Sequence, residues 1–267
     1  MATTPCEYTL TEASKKIFEG DLSSTELVES CLERISNVDD RIQAWVCLNR
    51  EGAIAAARDA DQEMREGKYR GPLHGIPVGV KDIFYTKGIP TEAGSRTWTG
   101  FVPDHDAAAV ARLKEAGAFV LGKTFTTEFA TFDPAPTRNP WDTEHTPGGS
   151  SSGSGAAVAA RMCPVALGSQ TSGSVLRPAS YNGVVGFKPT FGRISRYGVF
   201  PVSESLDTMG FFVRTVQDAA MVLGVLAGYD PNDPFSSVTS VPDNLKVLDD
   251  RDIPLRIGLV GKLFKDK

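Results

Sequence analysis

Helical spacing of apolar residues dominates the first part of the chain. The pair Ser23 and Glu26 has the spacing of a capping box, which marks the start of a helix. The apolar residues that follow share one helical face: Leu27, Val28, Cys31, Leu32 and Ile35. A second, alanine-rich helix is predicted over residues 52–66, with its charges mainly on one side. Residues 1–70 are therefore expected to form a helical cover layer.

From residue 71 the pattern changes to short apolar runs separated by Gly and Pro, which alternate with helical segments such as residues 107–116. This alternation is typical of an α/β fold. Strands are predicted at four places and a capped helix at a fifth: residues 76–80, 118–121, 165–168 and 255–260, and residues 215–227. Residues 230–252, rich in Pro, Asp, Ser and Asn, are predicted to form a long surface loop.

The length and composition indicate one domain. A chain of 267 residues with 41% hydrophobic content can build one large core. We divide it into the cover layer, a core over residues 71–229, and a loop with a last strand over residues 230–267.

Charge and cysteine content exclude several classes of partner and site. The net charge of −5 argues against nucleic acid or an anionic membrane as a partner, because both need a basic patch. The four cysteines form no CxxC pair, which excludes a zinc knuckle and a thioredoxin-like motif. The N-terminus lacks the features of a signal peptide, and no stretch approaches the roughly 20 apolar residues of a membrane span. We expect a cytoplasmic protein in a reducing environment.

One stretch of the chain matches a phosphate-binding motif in sequence but not in its predicted structural context. Gly117, Gly122, Lys123 and Thr124 match GxxxxGK[ST]. In a true phosphate-binding loop the four intervening residues follow a strand, but here they are AFVL and a predicted helix precedes them. Four consecutive apolar residues favour a buried strand. Lys123 is accordingly predicted to be a structural cation at the end of that strand.

Two Gly/Ser segments suggest catalytic chemistry. The first, TPGGSSSGSGAAVAA at residues 146–160, has the composition of a flexible linker but passes directly into an alanine-rich helix. The second, GSQTSGSVLRPAS at residues 168–180, follows a predicted strand. Small residues at such turns let backbone N–H groups converge on one point, as in sites that hold anions and oxyanions.

A nucleophilic serine in these segments needs a base. The three histidines lie in no Ser-His-Asp context and the chain shows no GxSxG elbow, that is, no such motif at a turn from a predicted strand into a helix, which leaves a Ser-Lys arrangement. Lys81 closes the apolar strand GIPVGV, where burial could hold it neutral. Its pKa would have to fall by about 3 units from about 10.4, which corresponds to about 4 kcal/mol. Spacing alone leaves two interpretations open, a catalytic base or a lysine whose amine reaches solvent.

Three separated segments closely resemble the amidase signature family: GIPVGVKDIF around Lys81, TPGGSSSGSGAAVAA around Ser150, and GSQTSGSVLRPASYNGVVGFKPT around Ser174. The resemblance implies a central mixed β-sheet flanked by helices on both faces. It also implies a Ser-Ser-Lys triad, in which Lys81 is the base, Ser150 the proton relay and Ser174 the nucleophile. In the family a cis peptide bond precedes the relay serine, which here would join Gly149 to Ser150.

The same resemblance implies hydrolysis of a C–N amide bond through an acyl-enzyme, with no metal or organic cofactor. Backbone N–H groups of Thr171, Ser172, Gly173 and Ser174 would stabilise the tetrahedral oxyanion.

One arginine departs from the common pattern. Many members carry an arginine two residues after the nucleophile, but here that position is Leu176 and the arginine is Arg177. This placement resembles the malonamidase-like branch, in which the corresponding arginine holds a substrate carboxylate. Arg177 is therefore either a binding residue for a small anionic amide or a structural arginine paired with a surface acid.

Family members are considerably longer than this chain, so by comparison we expect the C-terminal part to be absent. We expect a fragment, or a chain that requires a homo-oligomer or a second, complementing chain, because a sheet ending near residue 260 leaves an unpaired edge. Two alternatives stay open: the A-type subunit of a glutamine amidotransferase, and a truncated, non-catalytic scaffold.

Overall fold

A computed structural model describes residues 3–249, 256 and 258. Within them six strands form one mixed sheet: β1 (Trp45–Leu48), β2 (Pro77–Lys81), β3 (Phe119–Thr124), β4 (Val165–Gln170), β5 (Val185–Phe187) and β6 (Thr208–Val213). The strand order is β1-β3-β2-β4-β6-β5. β2 pairs in parallel with both β3 and β4, whereas the β1–β3, β4–β6 and β5–β6 pairs are antiparallel.

The inner strands are covered on both faces. Every residue of β2, β3, β4 and β6 is buried. Because successive residues of a strand point to opposite faces, burial of all of them requires cover on both sides. The expected architecture, a mixed sheet enclosed by helices, is therefore confirmed.

Eight α-helices complete the described part: α1 (Leu10–Glu19), α2 (Ser24–Ile42), α3 (Arg50–Arg65), α4 (Ala108–Glu115), α5 (Ser152–Ala159), α6 (Leu176–Asn182), α7 (Val216–Leu226) and α8 (Asn244–Asp249). α2 begins with the predicted capping box, in which the Ser23 side chain accepts from the Glu26 N–H. The alanine face of α3 is buried, at Ala53, Ala57 and Ala60. None of these helices combines the length and the apolar character needed to cross a membrane.

Most elements predicted from the pattern are present. The helices predicted at residues 52–66, 107–116 and 215–227 are α3, α4 and α7, and the strands at 76–80, 118–121 and 165–168 are β2, β3 and β4. Gly122, Lys123 and Thr124 continue β3 and form no loop. The chain therefore has no phosphate-binding turn at this position.

Other elements correct the sequence prediction. β1 lies inside the stretch expected to be wholly helical, and α8 interrupts the loop predicted over residues 230–252. The sequence pattern did not predict β5, β6, α1 or α6. β1 and β5 are short and only partly buried, so they show little of the alternation that identifies a strand. The strand predicted at residues 255–260 lies almost entirely outside the described residues.

The topology brings three strand ends together. Because β2, β3 and β4 are parallel, their carboxyl ends lie at the same edge of the sheet. Lys81 is the last residue of β2 and Gln170 is the last residue of β4. Both predicted Gly/Ser segments connect to this region, one through α5 and one directly after β4.

Candidate active site

The first Gly/Ser segment is held against the sheet by close backbone approach. A Cβ atom on Gly153 would lie 2.3 Å from the carbonyl oxygen of Ala44 and 2.4 Å from the amide nitrogen of Phe125. Only glycine fits this position. The hydroxyl of Ser154, one residue further, donates to the Leu167 carbonyl at 2.8 Å. The segment is therefore an ordered part of the core and not a flexible linker.

Lys81 points its amine at two hydroxyl groups. The side chain is completely buried. Its Nζ lies 2.8 Å from Ser150 Oγ and 2.9 Å from Ser169 Oγ, which belongs to the neighbouring strand β4. In the described residues no carboxylate forms an ion pair with this amine. The side chain therefore does not reach solvent.

Burial prepares the Lys81 amine to accept protons near neutral pH. Loss of hydration disfavours the charged form and lowers the pKa of Lys81 from 10.5 to about 7, while the charge of Asp207 opposes this shift. The neutral form of the amine is therefore accessible near neutral pH. A neutral amine can accept a proton from a hydroxyl.

Ser150 is fixed by its backbone. The Gly149–Ser150 peptide bond is cis, as the resemblance implied. The Ser150 carbonyl accepts from the Thr127 N–H at 3.1 Å. The next N–H, that of Ser151, donates to the Ser174 carbonyl at 3.4 Å, so the two Gly/Ser segments are hydrogen-bonded directly to each other.

Ser174 lies in the turn between β4 and α6 and is 7% exposed. The Gln170 side chain holds the far end of this turn, because its Oε1 accepts from the N–H groups of Val175 and Leu176, both at 2.9 Å. Across residues 3–249, the backbone N–H groups of positions 171–174 have no acceptor. Four consecutive donors are therefore free to meet a negative charge beside the Ser174 hydroxyl.

Arg177 is placed beside the Ser150 peptide. Its Nε donates to the Gly149 carbonyl at 2.9 Å. Its side chain also lines a cavity of about 600 Å³, together with Gly148, Ser152 and Tyr181. Neither Ser150 nor Ser174 lines this cavity, so it adjoins the hydroxyl groups without containing them.

Lys123 occupies a different environment one strand away. Its Nζ donates to the Phe84 carbonyl at 2.8 Å and to Thr91 Oγ1 at 2.5 Å, and it lies 3.4 Å from Asp82 Oδ1. Burial lowers the pKa of Lys123 to about 8, and the charge of Asp82 opposes that shift. The prediction of a structural cation agrees with these contacts.

Among the described residues, no histidine ring hydrogen-bonds to Ser150 or Ser174, although His145 lines the cavity beside Arg177. His74 contacts the Ala60 carbonyl, and His105 and His145 pair with the neighbouring acids Asp104 and Asp142. Within the part of the chain that the structure describes, no three His, Cys, Asp or Glu side chains are grouped so that they could hold a metal ion.

Two residues of the site were not identified from the sequence. Ser169 contacts the Lys81 amine, and Asp207 accepts a hydrogen bond from the Thr171 hydroxyl. Ser169 could have been noticed, because it follows Gly168 in the second segment on a strand adjacent to that of Lys81. Asp207 gave no such signal, since its proximity depends on the pairing of β4 with β6.

Comparisons with known proteins support a common family. The Amidase family model matches residues 26–267. The A-type subunit of the glutamyl-tRNA(Gln) amidotransferase from Geobacter sp. (strain M21) is 46% identical over 264 residues, which cover 97% of this chain and 54% of that protein. The chain therefore spans about half the length of the curated relatives it matches.

Solved structures show the same fold. The native peptide amidase of Stenotrophomonas maltophilia superposes with a TM-score of 0.86 at 41% identity, over 91% of this chain and 53% of that one. The A-type subunit of the glutamyl-tRNA(Gln) amidotransferase from Thermotoga maritima superposes with a TM-score of 0.76 at 36% identity, over 90% of this chain and 51% of that one.

Proposed function

The chain belongs to the amidase family, and from that premise we propose that it hydrolyses the C–N bond of a small amide through a Ser-Ser-Lys triad. Ser174 is the nucleophile, Ser150 the proton relay and Lys81 the base. The observation that carries the proposal is the 2.8 Å contact between a buried Lys81 amine, which no carboxylate among the described residues pairs with, and the Ser150 hydroxyl.

In the proposed reaction the neutral Lys81 amine takes the proton of Ser150 while Ser150 takes that of Ser174. The Ser174 oxygen attacks the amide carbonyl, and the resulting oxyanion is met by the backbone N–H groups of Thr171, Ser172, Gly173 and Ser174. The relay then runs in reverse and protonates the leaving nitrogen. Water, activated by the same relay, hydrolyses the acyl-enzyme and regenerates the free Ser174 hydroxyl.

A serine-directed organophosphorus probe tests these roles. We expect stoichiometric labelling at Ser174, located by mass spectrometry, and none in Ser174→Ala or Lys81→Met. Ser152→Ala is a matched control, because Ser152 belongs to the same serine run and its buried hydroxyl has no partner in the described residues. Labelling of another serine would contradict the assignment.

We further propose that the substrate carries an anionic group near the scissile amide and that Arg177 binds it. The guanidinium borders the cavity, and only its Nε is occupied by a described acceptor. Arginine is suited to a carboxylate because its planar fork can donate two parallel hydrogen bonds.

The Arg177 role can be separated from a structural one by comparing anionic with neutral amides. For Arg177→Ala we expect kcat/KM to fall roughly 10- to 100-fold for half-amides of dicarboxylic acids, the loss of one or two charged hydrogen bonds. Neutral aryl amides should change less than about threefold, at the low end of the value of one neutral hydrogen bond. Because Arg177 also contacts the Gly149 carbonyl, an equal loss on both substrates would indicate that it only supports the Ser150 peptide.

A second candidate is the A-type subunit of a glutamine amidotransferase, which the 46% identity to the Geobacter protein favours. In that case the substrate is glutamine and a partner chain completes the protein. Glutaminase activity that appears only with a co-purifying chain, and is lost in Ser174→Ala, would support it. Turnover of simple amides by the 267-residue chain alone would instead favour the amidase and exclude the non-catalytic scaffold.

A further inference from the structure

We propose that Thr171 and Asp207 form a positioning pair that fixes the turn carrying Ser174 and its backbone donors. The inference rests on the proposed function, because the turn matters only if Ser174 is the nucleophile. Neither side chain needs to touch the substrate.

The pair is held by several hydrogen bonds. The Thr171 hydroxyl donates to Asp207 Oδ1 at 2.5 Å. The other carboxylate oxygen accepts from the N–H groups of Val202 and Ser203, at 2.7 and 2.9 Å. Asp207 is only 7% exposed. Three donors thus fix the carboxylate, which in turn fixes the Thr171 side chain.

The position of the pair determines what it can control. Gln170 pairs with Thr208 in the β4–β6 ladder, and the next residues outward are Thr171 and Asp207. The hydrogen bond between the Thr171 hydroxyl and the Asp207 carboxylate therefore continues the β4–β6 connection by one residue pair, into the turn that carries Ser174. Gln170 holds the opposite end of the same turn through the N–H groups of Val175 and Leu176.

Between these two anchors lie the free N–H groups of positions 171–174. No backbone acceptor in the described residues orients them. Their direction therefore depends on the anchors at either end. A displacement of about 1 Å in such donors can reduce a rate by about 100-fold.

Asp207 also has an electrostatic effect that Thr171 lacks. Its charge opposes the lowering of the pKa of Lys81 by burial. The elements around the amine add little competing charge: β4, β6 and α5 carry no ionisable side chain, and Asp82 and Lys123 pair with each other. Removing the Asp207 charge should therefore lower the pKa of Lys81 further.

Four variants separate the two effects. Thr171→Val and Asp207→Asn should each lower kcat roughly 10- to 100-fold with KM within about threefold, since the donors act on the transition state. Only Asp207→Asn should also move the acidic limb of the pH–kcat profile to lower pH. Thr171→Ser should recover most of the rate. Thr208→Val is the matched control, because it keeps the backbone pairing with Gln170 and removes only a buried hydroxyl whose described hydrogen bond is to the Leu206 carbonyl.

Amide hydrogen exchange supplies a readout that does not depend on turnover. Exchange of the Val175 and Leu176 amides, the hydrogen-bonded donors of this turn, should be faster in Thr171→Val and Asp207→Asn than in the wild type, and unchanged in Thr208→Val. Unchanged exchange and unchanged kcat in Thr171→Val would overturn the inference, and so would an equal loss of rate in Thr208→Val. Absence of probe labelling at Ser174 in the wild type would instead refute the proposed function, while the exchange data would still decide whether the pair holds the turn.

Discussion

Two lysines are completely buried in neighbouring strands, and their surroundings differ. Lys81 ends β2, and Lys123 lies one register position away in β3, opposite Val80. Burial lowers both pKa values, to about 7 for Lys81 and to about 8 for Lys123. By residue type, burial and direction of the pKa shift, the two side chains are nearly equivalent.

The groups that each amine contacts distinguish them. Lys81 meets the hydroxyls of Ser150 and Ser169, whereas Lys123 meets a carbonyl, the Thr91 hydroxyl and the Asp82 carboxylate. A carboxylate favours the charged form of an amine, and a hydroxyl can exchange a proton with a neutral one. Burial alone therefore does not distinguish the two lysines, and the proposal of Lys81 as the base rests on the atoms that its amine contacts.

Replacing Lys81 should have the largest effect on the reaction. Lys81→Met keeps an unbranched apolar chain in the buried site but removes the proposed base. We expect the rate of amide hydrolysis to fall roughly 10³-fold or more, at the upper end of the contribution of a general base. Stopped assays on a preferred amide measure this loss. A residual rate within tenfold of the wild type would show that another group accepts the proton.

Removing Lys123 should damage the fold more than the chemistry. Lys123→Met leaves Asp82 buried without its ion pair, and the Asp82 Oδ1 atom has no hydrogen-bond partner in the described residues. Breaking one side of a buried pair costs about 3–5 kcal/mol of unfolding free energy. Urea unfolding followed by circular dichroism measures the change.

The double variant Lys123→Met with Asp82→Asn is the control for the ion pair. It should recover part of the lost stability, because no buried charge is left unpaired. Lys81→Met leaves no carboxylate without an ion-pair partner, so it should lose much less stability than Lys123→Met. Equal losses in the two single variants would contradict the distinction between the lysines.

The sequence pattern predicts that both lysines end or follow buried apolar runs, but the pattern alone does not show that their roles differ. Each follows an apolar run, GIPVGV before Lys81 and the run ending in Gly122 before Lys123. Such runs predict buried strands, which is why β2, β3 and β4 were found. The distinction came from the two Gly/Ser segments and their resemblance to one family, because these supplied hydroxyls for one lysine and none for the other.

The remaining parts of the site depend on tertiary pairing. β6 lies beside β4 although about 40 residues separate them, and no local signal specifies that pairing. Asp207 precedes β6, so its contact with Thr171 follows only once the register is known. Ser169 is a similar case, since its contact with Lys81 requires β2 and β4 to be adjacent.

The pH dependence of the rate should report the protonation state of Lys81. In the proposed mechanism the active form of Lys81 is neutral, and burial lowers the pKa of Lys81 to about 7. The rate on a neutral amide should therefore rise with pH through about 7 and level off above it, falling about tenfold per unit below. At pH 5 the rate should be roughly 100-fold below the plateau.

The Lys123→Met variant tests which of the two lysines causes the pH dependence of the rate. If Lys81 alone is responsible, the acidic limb should keep its midpoint in this variant. The variant is assayed at a temperature where unfolding measurements show it to be folded. A rate that stays constant between pH 5 and 8 in the wild type would contradict a lysine base with a pKa near 7.

The smallest expected effect comes from single hydroxyls next to the two amines. Ser169→Ala removes one of the two contacts that orient the Lys81 amine and leaves the Ser150 contact intact. We expect kcat to fall about tenfold, corresponding to one hydrogen bond of about 1.4 kcal/mol, with little change in KM. Ser169→Thr should retain most of the rate, because it keeps the hydroxyl.

Thr91→Val is the equivalent change at Lys123, since it removes the hydroxyl that this amine contacts at 2.5 Å. It should lower the unfolding free energy by about 1 kcal/mol and leave kcat within about twofold, well under the roughly tenfold loss expected for Ser169→Ala. A variant at each lysine then separates the two readouts, rate at Lys81 and stability at Lys123. If Thr91→Val slowed hydrolysis as much as Ser169→Ala, the buried Lys123 cluster would be coupled to the reaction and the division between the two lysines would be wrong.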